Sequence, residues 1–256
     1  MHPHVTLMDN SFTTRLHRFA AARFSPAEEF GLHLTVGVLV LLLAMAGFAR
    51  IAGAVVAGAP ITQLDVDLAN WLHTHAHGNG ALRNFLMAVT QVHSTLGVLA
   101  LTALAGWWLV RRGARHWMLT LLATVPGGMI LNVLMKHTFE RARPHFDEPI
   151  LTLTTYSFPS GHTVAATLLY GLLACYLTRH ARGWGARAGW VLLACAMVLL
   201  VAGSRLYLGA HYLSDVLAAM AEGCAWLSIC VTGVATLRRR QAGRARRMNS
   251  NLSEKS

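Results

Sequence analysis

Charge is scarce in this chain. Only 13% of its 256 residues are Asp, Glu, Lys or Arg, against 54% with hydrophobic side chains. That balance excludes an ordinary soluble domain, in which roughly a quarter of residues are charged. Acids are scarcer than bases, eleven against 22, and no carboxylates cluster as a magnesium site would require. Lysine is nearly absent: Lys136 and Lys255 stand beside twenty arginines, which leaves Lys136 conspicuous. Cys175, Cys195, Cys224 and Cys230 fall within apolar runs, without CxxC or metal-ligand spacing. They exclude a disulfide framework and read as small buried or lipid-facing residues. No internal repeat and no separate soluble domain is visible.

What the chain has instead is apolar length. A membrane-spanning helix needs about 20 mostly apolar residues. Six stretches qualify: Leu32–Phe48, Ser94–Val110, Trp117–Met135, Thr163–Leu177, Ala188–Gly203 and Tyr212–Leu237. The predicted fold class is all-α, an integral membrane bundle of six transmembrane helices with short interfacial helices between the first and second spans. The small residues Ala52–Ala59 imitate a signal-peptide cleavage site. The apolar core before them is too long for such a peptide, so the first stretch is read as a retained anchor.

Lys and Arg set the orientation, because positive charge stays on the cytoplasmic side. Arg15, Arg18 and Arg23 precede the first stretch, Arg111, Arg112 and Arg115 follow the second, and Arg179, Arg182 and Arg187 follow the fourth. Arg238, Arg239, Arg240, Arg244, Arg246, Arg247 and Lys255 follow the sixth. Sixteen of the 22 basic residues thus share one side, which predicts both termini in the cytoplasm. The net charge of +11 needs no nucleic-acid partner; topology and attraction of the tail to anionic lipid headgroups account for it. The chain divides into a cytoplasmic leader over 1–30, ending in an interfacial helix near Pro26–Phe30, a six-span domain over 31–237 and a basic cytoplasmic tail over 238–256.

Between the first two stretches, Pro60–His93 is the longest connection on the other side. Leu64, Leu68, Trp71 and Leu72 recur at helical spacing, as do Leu82, Phe85, Leu86 and Val89, with Asn79-Gly80 as the break. Both segments predict short helices lying at the interface. His73, His75 and His77 do not make a metal site on this reading, because i and i+2 do not share a helix face and no carboxylate or cysteine is adjacent. In the third stretch, Pro126-Gly127-Gly128 predicts a kink or the close approach of another helix.

Three polar islands interrupt the apolar chain: Lys136 to Arg143-Pro144, then Pro159-Ser160-Gly161-His162, then Ser204-Arg205 with His211 and Asp215. On the six-span arrangement all three fall at the ends of helices on the non-cytoplasmic side. Their chemistry suits a phosphate, which as a monoester carries about −1.5 to −2 charges. Lys136, Arg143 and Arg205 are candidate phosphate ligands, the guanidinium forks binding two oxygens at once. The N–H groups of Ser160, Gly161 and His162 at a helix start form an anion site, with the Ser160 hydroxyl as a further donor and Pro159 suited to the preceding turn. His211 and Asp215 are four apart and share a face, so the carboxylate can fix the imidazole tautomer and free the other nitrogen to attack. His162 then serves as acid for the leaving oxygen and as base for water. Three cations take the place of a metal, and no cofactor is expected.

Arranged this way, the islands resemble the signature of the type 2 phosphatidic acid phosphatase superfamily: Lys-x6-Arg-Pro, Pro-Ser-Gly-His and Ser-Arg-x5-His-x3-Asp. Lys136, Arg143-Pro144, Pro159-Ser160-Gly161-His162, Ser204-Arg205, His211 and Asp215 match every element. The resemblance implies a metal-independent lipid phosphatase of a bacterial inner membrane, working through a phosphohistidine on His211 with His162 as proton donor. It implies a lipid phosphate or pyrophosphate as substrate: undecaprenyl pyrophosphate, phosphatidylglycerophosphate, phosphatidic acid or a lipid A phosphate. Two rival readings stay open, a phosphotransferase using a lipid or sugar acceptor and a non-catalytic lipid-phosphate binding or transport protein. Oligomeric state is not legible.

Outside the islands, Glu140, Arg141, Asp147 and Glu148 read as loop charges that tune the entrance. Tyr207 and Tyr212 read as interfacial aromatics. Glu222, two turns beyond Asp215, is either functional or a buried polar contact.

Overall fold

The computed structural model describes residues 32–76 and 79–253. Eight helices run through them: α1 (Leu32–Val56), α2 (Pro60–Ala76), α3 (Gly80–Val92), α4 (Thr95–Arg111), α5 (Arg115–Phe139), α6 (Gly161–His180), α7 (Trp184–Tyr207) and α8 (Leu213–Ser253). Among the described residues there is no strand, so the all-α expectation holds. Helices α1, α5, α6, α7 and α8 are each long and apolar enough to cross a membrane. Helices α3 and α4 meet at a bend of 61° and make a sixth span if taken together. This is a multi-pass membrane protein.

The helix ends follow local chemistry. Asn79 opens α3 by accepting the N–H of Leu82 at 3.0 Å, and Ser94 opens α4 by accepting that of Gly97 at 3.3 Å. The six predicted stretches match helices whose ends lie two to four residues further out in several cases. That difference matters, because it carries Lys136 onto the last turn of α5 and Arg205 onto the last turn of α7. The basic tail continues α8 as helix through Ser253. The expected helix near Pro26–Phe30 lies outside the described residues.

Two compact units divide the chain, residues 40–231 and residues 1–39 with 232–256. Within the described part of the smaller, Thr236 Oγ1 lies 3.4 Å from His33 Nε2. The larger is built around α6, whose Val164, Leu168, Leu169 and Leu172 are buried against Val98 of α4 and Leu121 and Val125 of α5. Helix α6 also packs on α7, and α7 carries α2 and α3. Large apolar side chains point outward from most helices, including Leu104, Leu119, Ile130, Leu134, Leu192 and Leu199. An apolar surface of that extent is what lipid, and not water, solvates.

Pro126 does not break α5, which is continuous. The adjacent glycines instead admit neighbours: a Cβ on Gly128 would collide with Leu168 and come within 3.0 Å of Trp226 Cδ1. Trp226 Nε1 donates to the Thr124 carbonyl at 3.1 Å, locking α8 against this groove. Gly128→Val is therefore expected to lower stability in detergent by about 1–3 kcal/mol through overpacking. A thermal unfolding midpoint equal to that of the wild type would show that the helices have room to spare.

Candidate active site

Each polar island is delivered by a helix end within residues 40–231. Lys136 sits on the last turn of α5. Glu140 then adopts a left-handed conformation, φ 47°, and turns the chain into a loop bearing Arg141 and Arg143. The loop is stitched back by Ser157 N–H donating to the Arg141 carbonyl at 2.8 Å, and its buried Phe158 packs on Phe139 with ring centroids 4.9 Å apart. Helix α6 begins at Gly161 with His162 on its first turn. Helix α7 ends in a Schellman motif: Ala210 N–H donates to the Arg205 carbonyl at 3.0 Å and Gly209 N–H to the Leu206 carbonyl at 3.0 Å. Gly209 has φ +68° and the Phe146 ring lies against it, so a side chain fits there on neither count. This turn presents His211, and α8 follows with Asp215.

Lys136, Arg143, Gly161, His162, Arg205 and His211 line one cavity of about 300 Å³. Val98, Met129, Val133, Leu153 and Ala165 form an apolar wall of the same cavity. Arg143 Nη1 donates to the Ala210 carbonyl at 2.6 Å and lies 3.3 Å from His211 Nε2, which faces it as an acceptor. Lys136 Nζ donates to the Tyr156 carbonyl at 2.5 Å. Arg205, only 2% exposed, donates from Nη1 to Thr90 Oγ1 at 2.6 Å, and its buried Nε has no partner among the described residues. A buried cation that lines a cavity and keeps an unused donor is suited to an anion.

His211 Nδ1 lies 3.4 Å from Asp215 Oδ2, an ion-pair distance too poorly aligned for a hydrogen bond. Burial pushes the imidazole down to about 4; Asp215 opposes this, and the Arg143 and Arg205 cations reinforce it. The ring is therefore neutral near pH 7, with the Nε2 lone pair toward the cavity. Burial also lowers Arg143, against the pull of Asp215.

The structure gathers the predicted residues, with two refinements. Ser160 and Asp215 do not line the cavity. The Ser160 N–H donates to the Asp215 carbonyl at 3.2 Å and its hydroxyl accepts from Thr163 at 3.1 Å, so it braces the floor. Asp215 stands behind His211.

Other residues correct the sequence reading. Arg141 is no entrance charge: its Nη1 donates to Asp215 Oδ1 at 2.6 Å and its Nη2 to Asp65 Oδ2 at 2.8 Å. Burial opposes its charge, but the two carboxylates prevail and push the guanidinium up. Tyr212 is no mere interfacial aromatic, since its ring lies 4.4 Å beneath the Arg141 guanidinium. Asp65, Thr90, Asn132 and His93 carry no recognisable motif, and only the fold brings them here. His93 lines the cavity and accepts from the Tyr170 hydroxyl at 2.6 Å. Glu222 holds Asn132, whose Nδ2 donates to it at 3.0 Å and which also lines the cavity. His73 stacks on Phe146 at 3.9 Å and His75 Nδ1 donates to the Trp71 carbonyl at 2.7 Å, while His77 lies outside the described residues.

The PAP2 superfamily matches residues 117–239, which include all three islands. Residues 117–239 form a PAP2 superfamily domain. The chain is similar to phosphatidylglycerophosphatase B of Bacillus subtilis, 34% identical over 95 residues that make up 37% of the chain and 46% of the relative. The aligned part thus spans less than half of that relative's length. It is also similar to undecaprenyl-diphosphatase BcrC of Bacillus subtilis, 26% identical over 161 residues, 61% of the chain and 77% of the relative. Its fold matches the crystal structure of a transmembrane PAP2 type phosphatidylglycerolphosphate phosphatase from Bacillus subtilis with a TM-score of 0.67 and 24% identity, over 75% of this chain and 94% of that one.

Arg205→Lys should remove the fork geometry while keeping the charge. Inorganic phosphate is expected to bind the variant about 10- to 100-fold more weakly, the equivalent of one or two charge-assisted hydrogen bonds. Protection against thermal unfolding by added phosphate reads this out, and equal protection of both proteins would exclude Arg205 as an oxyanion ligand.

Proposed function

We propose that this protein hydrolyses a lipid phosphate or pyrophosphate through a phosphohistidine on His211. The carrying observation is the single cavity that combines Lys136, Arg143, Arg205, His162 and His211 with an apolar wall. The cations neutralise the phosphoryl oxygens, and the wall accommodates the first part of a chain that otherwise stays in lipid.

In the first step the His211 Nε2 lone pair attacks phosphorus as the bond to the leaving oxygen breaks, and protonated His162 gives that oxygen its proton. In the second, neutral His162 takes a proton from water. The water oxygen attacks phosphorus, the P–N bond breaks and inorganic phosphate leaves. Asp215 stabilises the cationic imidazole that exists between the two steps. The distribution of Arg and Lys supports cytoplasmic termini and a site at the outer face of a bacterial inner membrane. The names of the two relatives make a phosphatidylglycerophosphate and a prenyl diphosphate the first substrates to try.

His211→Ala is expected to lower kcat by about 10³-fold or more with the fold intact. His162→Ala should lose about 10²–10⁴-fold on a lipid phosphate, yet far less on an aryl phosphate whose leaving group needs no proton. Chelators should leave turnover unchanged. Phosphate release from purified protein, with the two lipids compared side by side, measures all of these; activity restored only by a divalent cation would overturn the mechanism.

A further inference from the structure

Behind the nucleophile lies a polar network that reaches beyond the three islands to Asp65 of α2. We propose that Asp65 and Arg141 act as a positioning relay, aiming Asp215 and thereby His211. The relay rests on the phosphatase reading and deepens it.

Asp65 belongs to α2, a helix that carries no part of the sequence signature, and is only 1% exposed. Its Oδ1 accepts the Ser214 N–H at 2.9 Å, and its Oδ2 accepts the Ser214 hydroxyl at 2.5 Å and Arg141 Nη2 at 2.8 Å. Arg141 Nη1 bridges onward to Ser214 Oγ at 2.7 Å and Asp215 Oδ1 at 2.6 Å. Asp215 in turn accepts the Tyr212 N–H at 2.9 Å and the Ser157 hydroxyl through Oδ2, the oxygen nearest His211. Two buried carboxylates sharing one guanidinium are costly to desolvate, and replacing such an arrangement by apolar packing is often stabilising. Its position immediately behind the nucleophile gives it a use beyond stability: an ordered outer shell fixes the orientation of the group in front.

Arg141 also spends part of the charge of Asp215. The other charged or titratable groups around His211 are His93 at the end of α3, Lys136 of α5, His162 of α6, Arg205 of α7, Asp215 of α8 and Arg143 of the loop. Removing the Arg141 cation leaves His211 facing an uncompensated anion. That favours the protonated imidazole, so the acid limb of the kcat/KM profile moves to higher pH.

The test uses the full chain in detergent with phosphate release as readout. Asp65→Asn and Arg141→Gln are each expected to lower kcat about 10- to 100-fold, the range for outer-shell partners, with KM changed by less than about threefold. Arg141→Gln should shift the acid limb upward by about one pH unit. In an Asp215→Asn background, Asp65→Asn should cost less than about twofold more, because the group it acts through is gone. Should Arg141→Gln not accumulate, Arg141→Lys keeps the cation and loses the fork; kcat then falls and the acid limb stays in place. Full multiplication of the two losses, or variants with wild-type kcat and pH profile, would overturn the relay and leave the phosphatase reading standing. A wild-type protein that releases no phosphate from any lipid tested overturns both.

Discussion

Three cations held around one small cavity repel one another, and much of the surrounding structure exists to tolerate that. Lys136, Arg143 and Arg205 all border the same 300 Å³ space. At a partly buried site, like charges are screened less than at an open surface. The loop between α5 and α6 answers this with carbonyl oxygens: Thr155 and Tyr156 accept from Arg143, and Tyr156 also accepts from Lys136. The cations are thereby fixed in advance, and an incoming dianion supplies the charge the site lacks. Preorganisation of this kind lets electrostatics favour the transition state without reorganisation at the moment of reaction.

The same economy explains the arrangement behind His211. A nucleophilic imidazole must be neutral before attack and cationic after it. Burial and the flanking arginines secure the first condition, while Asp215 secures the second. Asp215 faces His211 through one oxygen and Arg141 through the other, so its charge is shared between a fixed partner and a changing one.

Support for the site comes from places outside the three islands. The glycines of α5 let Leu168 and Trp226 approach closely, which brings α6 and α8 near the helix end that carries Lys136. Thr90 of α3 fixes Arg205, and the 61° bend between α3 and α4 sets His93 into the cavity wall. The short helices before the second long apolar run are therefore parts of the site as well as connections.

Apolar length, the placement of arginine and the spacing of three islands were legible in the linear chain, because hydrophobic stretches of bilayer length have few alternatives to helix. The same spacing implied that Lys136, Arg143, His162, Arg205 and His211 would share one end of a bundle. Ser160 and Arg141 were misjudged for a single reason: a polar residue at a helix boundary looks alike whether it faces a ligand or a neighbouring side chain. Asp65 lies 149 residues before its partner Ser214 and 76 before Arg141, on a helix whose pattern says only that it is amphipathic. Hydrogen bonds between residues so far apart leave no periodic trace along the chain, so their formation was decided by tertiary packing alone.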